Sequence, residues 1–169
     1  LRQAIALKPD YAEAHSNLGN VLKELGRLEE AEASYRRAIA LKPDFSIAHN
    51  NLGHALRELD RLDEAGVSVR QAIALKPELA EAHFNLSILF AINEDYDSAL
   101  NSMEMANNIE PKTRKYILLL RILKSRQAHK KRELGIGDGS KLSYLTGLVS
   151  NPLILSRVVE PELLANLYD

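Results

Sequence analysis

The sequence contains no cysteine, which excludes disulfide staples and thiolate metal sites and leaves the redox compartment without a marker. Aromatic residues are only 5 %, and alanine and leucine are abundant instead, a balance that favours helix over sheet. No apolar run is long enough to cross a bilayer; Ile117-Leu118-Leu119-Leu120, for example, is ended by Arg121. Net charge is nearly absent too. A formal value of −1 argues against a protein that coats nucleic acid over its whole surface. No leader opens the chain either: Leu1-Arg2-Gln3 already falls inside a pattern, so the chain is expected to be a piece of something longer. What is left, 46 % hydrophobic and 27 % charged residues over 169 positions, is expected to fold in water as a compact domain or a short solenoid.

What is present is one sentence written three times. His15-Ser16-Asn17-Leu18-Gly19 returns as His49-Asn50-Asn51-Leu52-Gly53, and again, more altered, as His83-Phe84-Asn85-Leu86-Ser87. Pro9, Pro43, Pro77 and Pro111 fall 34 residues apart, and Ala4, Ala38, Ala72 and Ala106 keep the same step. So do Ala31, Ala65 and Ala99. Independent columns sharing one period predict a stack of equivalent units. Within a unit, Ala12 to Leu25 carries Leu18, Val21, Leu22 and Leu25 at helical spacing, and Gly26 stops it. Glu29 to Leu41 reads as a second helix with Ala31, Tyr35, Ala38, Ile39 and Leu41 inward. Its acidic start (Glu29, Glu30) and basic end (Arg36, Arg37, Lys42) suit the helix dipole, and Pro43 breaks the chain after it. The small columns Gly19/Gly53/Ser87 and Ala31/Ala65/Ala99 mark places where paired helices approach closely.

A period of 34 with small residues at these places resembles the tetratricopeptide repeat. The resemblance implies an all-α fold, a right-handed solenoid of antiparallel helix pairs. Residues 1–11 are then the second helix of a truncated repeat, and complete repeats occupy 12–45, 46–79 and 80–113. A basic capping helix follows at 114–133, then a Gly-rich linker at 134–140 and a short helical tail at 141–169, which could lead into a further domain. Two departures stand out: His15, His49 and His83 replace an early aromatic, and the third repeat has Ser87 for glycine and Glu94 at its turn. Continued further, the register puts Arg121 in the glycine column, so a fourth repeat is not expected. A cap is expected instead, with Tyr116, Leu119, Leu120 and Leu123 on one face.

Asn17, Asn51 and Asn85 share a column on the first helices, which is expected to form a line down the concave side. An amide both donates and accepts, which suits the backbone of an extended peptide whatever its side chains. The competing role is a bond to a neighbouring helix. The wording of the repeats is similar to the superhelical arm of the O-linked N-acetylglucosamine transferases, whose asparagine ladder holds substrate peptides. That likeness implies a peptide-binding role for Asn17, Asn51 and Asn85, and the neighbours Asn20, His54, Asn50 and Phe84 are expected to tune selectivity. The chaperone-tail binders of the same family grip a terminal carboxylate with basic residues. Here those places hold Glu13, Ile47 and Glu81, so a carboxylate clamp is not expected and a neutral to basic peptide is.

Nothing points to catalysis. There is no nucleophile elbow, HExxH or paired-carboxylate arrangement, and Gly135 to Lys141 runs Gly-Ser-Lys where a phosphate loop needs Gly-Lys-Ser/Thr. Three histidines placed one per repeat, roughly 10 Å or more apart, cannot share a zinc ion. No metal and no cofactor is expected, and a catalytic domain would lie elsewhere in a longer protein. Charge is uneven: residues 1–111 hold 11 Lys and Arg against 18 Asp and Glu, while residues 112–133 hold 9 against 1. The basic helix reads as a solvated face or as a match to the acidic repeats, with nucleic acid not expected as a partner. The expected function is therefore a cytoplasmic protein-interaction scaffold, a recruitment arm holding an extended peptide. The alternative is a homo-oligomer formed through Ile5, Leu7 and Tyr11 at the open end of the stack, or through the tail of one copy docking on another.

Overall fold

A computed structural model describes residues 11–134 of the chain, which form helices joined by short turns. Seven helices follow one another: α1 Ala12–Glu24, α2 Leu28–Leu41, α3 Ser46–Glu58, α4 Leu62–Leu75, α5 Ala80–Ile92, α6 Tyr96–Ile109 and α7 Arg114–Glu133. Helices α1 and α2, α3 and α4, and α5 and α6 form hairpins, and each hairpin packs on the next. Helix α7 packs on α6. This is the all-helical solenoid implied by the repeat period. The Gly-rich linker and the tail lie outside the described residues, as do residues 1–10 with Ile5 and Leu7.

The turns inside the hairpins share one construction. At the end of α1, Gly26 N–H bonds Lys23 O and Arg27 N–H bonds Leu22 O, each at 2.9 Å, which satisfies two carbonyls the helix cannot. That closure needs a left-handed residue, and Gly26 supplies it with φ 72°. The same place is taken by Asp60 (φ 60°) and Glu94 (φ 57°) in the later hairpins, with the same pair of bonds. The repeated geometry thus outlasts the glycine that suits it best.

Two buried clusters run through the stack. The first joins Leu22, Tyr35, Leu52, Leu56, Val69 and Leu89 with the alanines of α2 to α5. The second joins Leu100 and Met103 of α6 to Tyr116 and Leu123 of α7, with Leu119 and Leu120 packed against it. Of the face of α7 expected to be apolar, Tyr116 and Leu123 are buried and Leu119 and Leu120 half-buried. Two expected core residues of α1 differ: Val21 is 46 % and Leu25 65 % exposed. Their column mates include Ala55, Leu89 and Leu123, all buried, so Val21 marks the outer edge of the described stack rather than a polar position.

The small columns are where the hairpins close. A Cβ on Gly19 would lie 2.5 Å from the Tyr35 ring, and one on Gly53 would lie 2.4 Å from Val69 Cγ2 and 3.1 Å from Ala65 O. We predict that Gly53→Ala lowers stability by about 1–3 kcal/mol, because backbone as well as side chain must move. Gly66, inside α4, is the contrast: its Cβ would meet only the flexible end of Arg70 at 3.2 Å. Gly66→Ala should raise stability by about 0.5–1 kcal/mol through helix propensity. Denaturant melts of the two variants, run together, should move in opposite directions.

Candidate functional site

The first helices α1, α3, α5 and the start of α7 lie side by side, and polar side chains bond across each seam. Asn51 Nδ2 donates to Asn20 Oδ1 at 2.9 Å, and Asn85 Nδ2 donates to Asn50 Oδ1 at 2.9 Å. Asn20 Oδ1 also accepts from the Tyr35 hydroxyl at 2.8 Å, which ties this face to the core behind it. The asparagine column is graded. Asn17 is exposed, Asn51 is half-buried, and Asn85 is 4 % exposed. The structure therefore brings Asn17, Asn20, Asn51 and His54 to one face, while Asn50, like Asn85 only 4 % exposed, is buried beneath it and bonded to Asn85. Phe84 stands further along, its ring centroid 5.4 Å from that of Tyr116 and under the Lys115 ammonium at 4.8 Å.

His54 lies at the middle of the face in a chain of charges. The Lys23 ammonium approaches His54 Nδ1 at 3.1 Å, and His54 Nε2 lies 3.0 Å from Glu58 Oε1. An ammonium has only donors, so Nδ1 accepts and the ring proton is on Nε2, donated to Glu58. The imidazole is held neutral: burial first, then the Lys23 and Arg57 charges, push its pKa down to about 4. Lys23, Arg57 and Glu58 were not singled out in the sequence. The 34-residue step carries Lys23 to Arg57 and Asn20 to His54, so the columns held the signal that the asparagines drew attention away from.

The repeat histidines have a structural role. His49 Nε2 bonds Pro43 O at 2.9 Å and His83 Nε2 bonds Pro77 O at 2.8 Å, so each ring holds the loop that precedes its own helix. Among the described residues no group of His, Asp or Glu converges on a metal position. Of the groups expected to favour a basic peptide, Glu13 pairs with Lys42 at 3.3 Å and Glu81 with Lys115 at 2.6 Å. On α7, Lys130 pairs with Glu94 and Lys131 with Asp97, each at 3.5 Å, so part of its positive charge is matched by the acidic repeats. Tyr11 is 49 % exposed, and no helix among the described residues is long and apolar enough to cross a membrane.

The hairpin stack with an amide-lined first-helix face defines a class, the helical-repeat protein. Comparison with known proteins narrows it. A family model described as TPR repeat matches residues 1–26 and 19–60, and one described as tetratricopeptide repeat matches residues 47–79. These matches place residues 1–79, just under half of the chain, in the tetratricopeptide-repeat superfamily, a family of protein–protein interaction modules. No curated protein matches its sequence. Among solved structures, the first such domain of human RPAP3 is 20 % identical over 73 % of this chain and 98 % of its own, with a TM-score of 0.70. The first TPR of Spaghetti (RPAP3), bound to the HSP90 peptide SRMEEVD, is 19 % identical over 70 % of this chain and 94 % of its own, at 0.67. The TPR2B domain of yeast Sti1, in a complex with pHsp70, is 19 % identical over 71 % and 98 %, at 0.64. These likenesses show the fold.

The state of His54 has a readout in pH. The unfolded ring takes its proton near 6.5 and the folded ring only near 4, so within that window the unfolded state binds more protons. The contribution is complete above 6.5 and is lost as pH falls through 4. We predict an NMR titration midpoint near 4 for the His54 ring. The fall in unfolding free energy between pH 6.5 and 4 should be smaller in His54→Gln.

Proposed function

We propose that the chain is a protein-interaction scaffold that holds an extended peptide along the concave groove of its first helices, as a recruitment arm of a larger protein. Its units are the repeats 12–45, 46–79 and 80–113, capped by the helix at 114–133. The observation that carries this reading is the row of amides, exposed at Asn17 and half-buried at Asn20 and Asn51, running across successive helices. The inter-helix bond from Asn51 to Asn20 fixes those two rotamers, so peptide amides meet groups that are already oriented there. Asn85 acts from beneath by holding Asn50. The Spaghetti neighbour is bound to a peptide, and the fold likeness lets that mode of binding be carried over as support. The resemblance of the asparagine column to the arm of the O-linked N-acetylglucosamine transferases points the same way, towards backbone rather than end-group recognition.

The test is binding of a pool of labelled unstructured peptides to the parent, to Asn17→Ala, and to the triple variant Asn17→Ala/Asn51→Ala/Asn85→Ala. Asn17 makes no hydrogen bond within the described residues, so its removal should leave helicity and melting unchanged. A lost side-chain bond to peptide, about 1 kcal/mol, should weaken binding roughly fivefold. The triple variant should lose binding while circular dichroism still shows a helical chain. If Asn17→Ala binds as the parent does, the row is scaffold alone.

A further inference from the structure

Arg57 is out of step with its own column. Lys23, 34 residues earlier, finds its acceptor across the seam in His54 Nδ1. The counterpart of His54 in the next helix, 34 residues on, is Ile88, which has no acceptor to give. The cation has been repeated without its partner. Within the described residues the half-buried Arg57 guanidinium makes no hydrogen bond and no ion pair. Glu58 and Glu81 act on it through their fields, but Glu58 is engaged with His54 and Glu81 with Lys115. Burial lowers its pKa from the ordinary arginine value, the mark of a cation that has lost water and gained no close partner.

Beyond Arg57 the face changes character. The column Asn20 and His54 continues as Ile88 and Ile122, and the column Glu24 and Glu58 continues as Ile92. Ile88 and Ile122 are half-buried and Ile92 is 48 % exposed. The guanidinium thus stands at the border between an amide half and an apolar half. Neighbouring helices pack roughly 8–10 Å apart, and an extended chain advances about 3.3 Å per residue. One helix spacing is therefore about three residues of bound peptide.

Resting on the groove reading above, we propose that Arg57 selects the bound peptide: it takes the carboxylate of an aspartate or glutamate side chain, and a bulky apolar side chain about three residues away lies on Ile88, Ile92 and Ile122. A carboxylate can accept two guanidinium N–H bonds at once, which no neutral group does as well. The recognised side chain lies within the peptide, so no free chain end is required. The acidic groups that would oppose it, Glu13 and Glu81, are already paired with Lys42 and Lys115.

The experiment uses the whole chain and short labelled peptides in a serine–glycine background, with aspartate and leucine three positions apart in both orders. Control peptides replace aspartate by asparagine or leucine by serine. The parent should prefer the aspartate–leucine peptide of one order by tenfold or more over either control. Arg57→Gln should remove the preference for aspartate over asparagine and leave the preference for leucine. Ile88→His offers Arg57 an acceptor like the one Lys23 has, so it should also reduce the aspartate preference, and it serves should Arg57→Gln fold poorly. Equal binding of aspartate and asparagine peptides by the parent, or an unchanged preference in both variants, overturns the role of Arg57 while leaving peptide binding in place. Failure of every peptide, including the unbiased pool, to bind the parent overturns the groove itself and this inference with it.

Discussion

The structure depends on how closely the two helices of each hairpin can approach. In every described hairpin a large residue of the second helix lies across a small residue of the first: Tyr35 over Gly19, Val69 over Gly53, Met103 against Ser87. Tyr35, Val69 and Met103 are all fully buried by this approach. The third contact shows how much change it tolerates. Ser87 brings a hydroxyl into the core, but that hydroxyl donates to Phe84 O at 2.7 Å, and the pliant methionine thioether fills the remaining space. Hairpins closed to the same depth present the same outer face, and only then can their first helices line up.

That alignment turns a repeated residue into a continuous surface. An asparagine in mid-helix is a poor helix former, and its amide must find partners or stay wet. Across the seams the amides of Asn51 and Asn85 meet those of Asn20 and Asn50, while Lys23 meets His54. These bonds join neighbouring helices, and of the four amides only those of Asn20 and Asn51 are half-buried rather than buried. The charge chain through His54 keeps a titratable group neutral where an isolated imidazole would take up a proton near 6.5.

The last helix among the described residues departs from the repeat pattern on one side. Helix α7 keeps the register of a first helix on the side that faces α6, where Tyr116 and Leu123 are buried. On the side that would receive a second helix, the glycine column holds Arg121, and the column of Leu22, Leu56 and Phe90 holds Lys124. Both are exposed. An arginine in place of glycine would hold a helix away at this position, the reverse of the close approach that builds the hairpins. The pairs from Lys115, Lys130 and Lys131 back to Glu81, Glu94 and Asp97 draw the cap onto the repeats, each a modest term at half-exposed positions.

Much of this could be read in the sequence, because a 34-residue period is a local record of a local constraint. Glycine, alanine and proline at fixed steps state where helices touch, turn and end, and the helices and their pairing follow from those residues. The sequence by itself also determined which positions recur at one place in successive helices, the asparagine column among them. What only the tertiary structure decided is how one repeat sits on the next. The stacking offset pairs Asn51 with Asn20 and Asn85 with Asn50, 31 and 35 positions back, and no periodicity records such an offset. It also grades one column from the exposed Asn17 to Asn85 at 4 %. It gives Lys23 an acceptor, and where Ile88 replaces that acceptor it leaves Arg57 without one among the described residues. The physical reason is that seam contacts are set by two helix surfaces fitting together, and each surface is written in a different repeat.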